Sequence, residues 1–188
     1  MELKYLHINE KQYTEELLIS PKQAALLKKL LSELILNEVL IINTNLGLEI
    51  YYESSNDCTN MIKTTLSFIV SEEYDVNDCL DFHSFQNASE IQRFIDHTIE
   101  QVKVTPRFFN YTRSIFSQLE LQYTSNKKLI GKLSNIWNEV EQNLRVKNVD
   151  FQKIQILQGS FQDIYINNIE DEVQKELVVS AINKLYAN

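Results

Sequence analysis

Only three glycines and two prolines interrupt 188 residues, where average usage would supply roughly 22. Few breakers mean few tight turns and long uninterrupted elements, which favours helices and leaves Asn, Ser and Asp to make turns and caps. At 44% hydrophobic and 23% charged residues the chain has material for a core and is not of the disordered type. The length suits one domain over 1–188, with 1–86 and 87–188 as its sublobes.

The first half mixes elements. A short amphipathic helix is expected over 9–19. Ser20-Pro21-Lys22-Gln23 reads as a helix start, with Ser20 as cap, Pro21 at the first helical position and Gln23 closing a capping box. Leu26, Leu27, Leu30, Leu31, Leu34 and Ile35 then recur at helical spacing. Val39 to Thr44 is apolar and β-branched, Asn45-Leu46-Gly47 can turn, and Leu48 to Tyr52 returns, so a β-hairpin is predicted. Met61 to Val70, rich in Thr, Ile, Phe and Val, is predicted as a third strand, and a short element is expected near Leu80.

From Asn87 the periodicity is helical. Asn87-Ala88-Ser89-Glu90 offers a capping box before Ile91, Ile95, Ile99 and Val102. Thr105-Pro106 starts a helix with Phe108, Ile115, Leu119 and Gln122 on one side. Asn126 opens another, with Leu129, Leu133, Ile136, Val140 and Leu144 as its stripe. Residues 149–166 read as a helix or as two strands joined at Gly159-Ser160, and Asn168 is placed as the cap of a final helix. The expected class is α+β, a small antiparallel sheet of about three strands packed with an array of four to five helices.

Charge is sorted along the chain. Residues 1–102 carry a net −10, residues 103–147 a net +5, and residues 148–188 a net −3, within an overall −8. A sorted charge gives a directional field that acts on partners. The acidic excess argues against non-specific DNA or anionic-membrane binding by the whole molecule. No basic leader with an apolar core begins the sequence, and no apolar run nears the length that spans a bilayer, so a cytoplasmic protein with Cys58 and Cys79 reduced is expected.

Catalytic patterns are sparse. Gly47, Gly131 and Gly159 are isolated, so no phosphate-cradling loop exists, and no Gly-x-Ser-x-Gly elbow is present. Cys58, Cys79, His83 and His97 are metal-ligand types in one region, without the paired cysteines that mark a zinc site, so no metal and no cofactor is assigned. Two free thiols and two surface histidines explain them as well. Glu49 and Glu53 flanking the second hairpin strand, with Lys63 on the third, would suit a divalent-metal-dependent hydrolase if they converged.

Two charged stretches remain. Arg107, Arg113, Lys127, Lys128 and Lys132 lie among aromatics in 103–147, as in binders of single-stranded nucleic acid. Phe109, Phe116 and Tyr123 nevertheless recur every seven residues beside an apolar stripe, which assigns them to a core. Lys127 and Lys128 oppose the dipole of the helix they begin, so something outside the helix must offset them: the acidic 71–81 segment first, then a partner protein, then nucleic acid, and the opposite signs also permit a homo-oligomer. Glu72, Glu73, Tyr74, Asp75, Asp78 and Asp81 form the densest single-sign run and read as a surface for a basic protein partner. The composition is similar to that of small, acidic, glycine-poor proteins of low-GC bacteria and their phages, many of them inhibitors, immunity proteins or chaperones. That likeness is one of composition alone. The leading expectation is a non-enzymatic protein-interaction module of inhibitor, immunity or anti-defence type. A nucleic-acid-binding regulator and a metal-dependent hydrolase are the alternatives.

Overall fold

The computed structural model describes residues 1–12, 16–70, 76–102, 107–146, 163, 166–167, 169 and 171–186. In chain order they form β1 (Glu2–Glu10), α1 (Pro21–Ile35), β2 (Val39–Thr44), β3 (Gly47–Ser54), α2 (Thr59–Ile69), the single turn α3 (Val76–Cys79), β4 (Leu80–Phe85), α4 (Ala88–Val102), α5 (Arg107–Gln122), a 3-10 turn (Tyr123–Ser125), α6 (Lys127–Val146) and α7 (Glu172–Tyr186). The class is α+β, as expected, but the sheet has four strands, all antiparallel, in the order β2-β3-β1-β4.

Both faces of the sheet are covered, which is why β2 is buried from end to end. On one face Leu3, Tyr5, Leu40, Ile42 and Tyr51 meet α4 (Ile91, Ile95, Ile99), α5 (Tyr111, Ile115, Leu119) and α6 (Leu129, Leu133, Ile136, Val140). On the other, Leu6, Ile8, Val39, Ile41, Leu48 and Ile50 meet Leu27 and Leu31 of α1 and Ile62 and Leu66 of α2. The helical stripes of the second half thus pack on the sheet of the first half.

Local signals explain most boundaries. The Ser20–Gln23 capping box forms, with the Gln23 backbone N–H donating to Ser20 Oγ and the Ser20 N–H to Gln23 Oε1. Gln23 Nε2 also donates to the Ile69 carbonyl, so one side chain serves the start of α1 and the end of α2. Asn87 caps α4 by accepting from the Glu90 N–H, while the Glu90 carboxylate accepts from the Gln86 N–H. The hairpin turns through Asn45 and Leu46, with Thr44 Oγ1 donating to the Gly47 carbonyl and accepting from the Leu46 N–H.

Three expectations are corrected. Met61–Val70 is no strand: Met61–Ile69 lies in helix α2 and Val70 caps its end. Ile62, Thr65, Leu66 and Ile69 share its inner face, and Thr64, Thr65 and Ser67 satisfy their hydroxyls on carbonyls four residues back. The described residues of 9–19 are not helical, and Asn9 and Glu10 end β1. That central strand was missed because its polar residues Lys4 and His7 are buried along with its apolar ones. The final helix is capped by Asp171, which accepts from the Val173 and Gln174 N–H groups. The segment left as helix or hairpin, 149–166, lies almost wholly outside the described residues.

Candidate functional site

The two edges of the sheet are treated differently. The outer edge of β2 is closed by side chains of α5. Gln118 Oε1 accepts from the Asn43 N–H at 2.8 Å while its Nε2 donates to the Asn43 carbonyl at 2.9 Å. Gln122, one turn on, does the same for Ile41, at 3.4 and 2.5 Å. Two amides at i and i+4 thereby stand in for a missing strand.

Since Ile41 and Asn43 face outward, Leu40, Ile42 and Thr44 carry the ladder to β3, and the alternation of an antiparallel sheet fixes the rest. Tyr5, His7 and Asn9 bond to Phe85, His83 and Asp81, in phase with the Lys11 N–H that donates to the Cys79 carbonyl at 3.0 Å. The backbone N–H and C=O groups of Phe82 and Ser84 therefore point away from the sheet. Among the described residues none closes this edge as Gln118 and Gln122 close the other.

Acidic side chains accompany the open edge. Asp78 is exposed in α3 and Asp81 is half-buried on β4. Glu72, Glu73, Tyr74 and Asp75 lie outside the described residues. On the far side of the sheet a groove of about 560 Å³ runs between α1 and α2, lined by Leu30, Leu34, Met61, Thr64 and Phe68. Phe68 is 82% exposed there.

The basic segment is partly used within the fold. Lys128 Nζ lies 2.6 Å from Glu53 Oε2, and Lys132 donates to Glu53 Oε1. Burial alone would raise the Glu53 carboxyl, but the two lysines hold it below the usual carboxylate range. Glu38, from the loop before β2, accepts from the Leu129 N–H at 2.9 Å and so caps the start of α6. The offset that Lys128 requires comes from Glu53 of β3 and Glu38 of this loop. Arg113 and Lys127 are exposed, and Arg107 is the first residue of α5.

The acids proposed for a hydrolase do not converge. Glu49 and Glu53 point to the α4–α6 face, whereas Lys63 is on α2 across the sheet, its Nζ 4.4 Å from the centre of the Phe82 ring. Glu49 is fully buried and accepts from the hydroxyls of Tyr51 and Tyr111, each at 2.8 Å. Burial raises it to about 7 against the pull of those two donors, and burial pushes Tyr5, Tyr51 and Tyr111 well above the ordinary phenol. Tyr5 continues the network to His7 Nδ1, 3.2 Å away. Burial, and then the neighbouring His83, lower His7 to about 4.

His83 and His97 line a cavity with His7 on the α4 side, while Cys58 and Cys79 are free thiols packed against the other core. The four ligand-type residues are thus divided by the sheet. Among the described residues no group of three or more His, Cys, Asp or Glu could hold a metal ion, and no helix is long and apolar enough to cross a membrane.

Comparison with protein-family models, with curated proteins and with solved structures found no match.

Neither the glutamine seal nor the Glu49–tyrosine network was foreseen from sequence. One signal for the seal was present: Gln122 sits in an otherwise apolar stripe.

Proposed function

We propose that this protein is a non-enzymatic, acidic interaction module that takes a basic, extended segment of a partner protein as an added strand on β4. The observation that carries the reading is the contrast between the edges, one sealed by Gln118 and Gln122 and the other open at Phe82 and Ser84. Strand addition draws affinity from main-chain hydrogen bonds and specificity from neighbouring side chains. Asp78 and Asp81 beside the edge favour a partner bearing Lys or Arg, and the overall charge of −8 steers it in. Occupying a basic segment in this way blocks it from other ligands, the mode of an inhibitor or immunity protein. The exposed apolar groove between α1 and α2 fits the same class, since such patches mark protein contacts. Engagement of Lys128 and Lys132 by Glu53 weakens the nucleic-acid alternative.

The test is titration of the ¹⁵N-labelled protein with an alternating Lys–Val decapeptide at low salt. Perturbation centred on the Phe82 and Ser84 amides is expected, weakening as salt rises. Ser84→Pro removes one outward N–H without breaking a bond to β1 and should abolish binding, and Asp81→Lys should weaken it. Tight binding of single-stranded RNA through Arg113 and Lys127, with no response to the peptide, would overturn the reading.

A further inference from the structure

We propose that the cavity between the β2–β3 turn, β4 and α4 is a binding site for a planar nitrogen heterocycle of nucleobase size. This site is separate from the open edge of β4 and does not depend on it. The cavity holds about 280 Å³ and is lined by all three histidines of the chain. That volume is small for a ligand pocket but admits one bicyclic ring.

The walls are flat. Phe94 lies 4.9 Å from His7 between ring centres, and His83 lies 6.2 Å from His7. Rings of this kind offer stacking surfaces to a planar guest. His7 is the central group, 7% exposed and held from behind by Tyr5 at Nδ1. Tyr5 occupies Nδ1, so Nε2 is the ring nitrogen left to meet a guest, as donor or acceptor according to the tautomer, and no described residue bonds it. Gly47 leaves the ring its room: a Cβ there would stand 2.9 Å from His7 Cε1 and 3.2 Å from Nε2.

The remaining polar groups complete a hydrogen-bonding edge. Asn9 gives its Nδ2 to the Glu10 carbonyl, and Gln101 gives its Nε2 to His97. Both residues line the cavity, and each keeps its amide oxygen as an acceptor. One buried imidazole nitrogen with two amide acceptors matches a heterocycle that offers a ring nitrogen and amino protons.

Other ligand classes fit less well. Glu10 and Glu16 are also in the lining, and burial keeps His7 uncharged at neutral pH, so an anion is disfavoured. The histidines form no cluster able to hold a metal ion. An aliphatic ligand would leave Nε2 and the amide oxygens unpaired.

The experiment is an NMR titration of the ¹⁵N-labelled protein with adenine, run beside orthophosphate and zinc chloride. Adenine is expected to shift the signals of His83, Thr98 and Gln101 saturably. Gln101→Leu, at an exposed position of α4, should weaken binding about tenfold, the equivalent of one hydrogen bond. Thr98→Trp should fill the cavity and abolish it, with unchanged circular dichroism showing that both variants fold. No adenine response at millimolar concentration, or shifts of the same residues by zinc or phosphate alone, would overturn the proposal.

Discussion

Glu49 and Tyr111 are 62 residues apart in the chain, yet the tyrosine hydroxyl donates to the carboxyl at 2.8 Å in the centre of the core. Glu49 faces the sheet position of His7, so two titratable groups with opposite displacements sit on paired strands. The Glu49 value rises from 4.5 to about 7, and the folded state therefore binds more protons than the unfolded one between those limits. Its contribution to stability is complete below 4.5 and falls as pH rises to 7. His7 drops from 6.5 to about 4, so its contribution has the opposite sign and rises with pH between 4 and 6.5. The two slopes overlap and largely cancel in the native protein. Glu49→Gln should expose the histidine slope, and His7→Gln the glutamate slope, each up to about 3 kcal/mol across its window. Urea denaturation at pH 4 to 8 measures this, and equal slopes in both variants would refute it.

Glu53 is 1% exposed, and its charge is countered by Lys128 and Lys132. Lys132→Met alone should cost about 1 kcal/mol, because Lys128 remains. Removing both lysines strands a buried carboxylate and should cost more than the two single changes added together. The sign with pH should also invert. The native pair supports the fold above the unfolded carboxyl value and is lost on acidification, whereas the double variant should gain stability as pH falls. Thermal melts at pH 4 and pH 7 distinguish the two.

Gln118→Ala with Gln122→Ala reopens the β2 edge. Each loss leaves a backbone N–H and C=O without their amide partner, at about 1–3 kcal/mol. An uncovered edge is also a template for pairing with another chain. Lower stability and concentration-dependent association in sedimentation velocity are the expected results. A monodisperse double variant with native stability would show that the glutamines are dispensable.

Two backbone positions should respond in opposite directions. Leu36 ends α1 in the left-handed region, at φ 57, and is 87% exposed. Leu36→Gly should therefore stabilise by about 0.5–1 kcal/mol, because it removes steric strain and no buried contact. Gly47, at φ +137, has the Ile8 carbonyl oxygen 2.5 Å from the place a Cβ would take. Gly47→Ala should destabilise by more than about 2 kcal/mol, since strand β1 would have to shift. Denaturation midpoints check both.

The helices with a single apolar stripe were legible. Ile91–Ile95–Ile99 and Leu129–Leu133–Ile136–Val140 are buried as their spacing predicts, and Ser20, Asn87 and Asn126 mark helix starts. The β2–β3 hairpin was legible too, because its run is apolar and its turn carries Gly47. Strand β1 was not, since both its faces are buried and no polar alternation survives. Helix α2 was misread because its β-branched and aromatic residues satisfy strand propensity and helical period together.

By itself the sequence determined the α+β class, the local starts and stops, and the separation of charge, all of which depend on neighbours along the chain. Tertiary structure alone decided that β1 is central, that Glu53 receives the lysines of α6, and that glutamines of α5 close β2. It also brought His7, His83 and His97 to one cavity. Each of these joins residues far apart in the chain, and burial of both faces of one sheet is the force that brings them together.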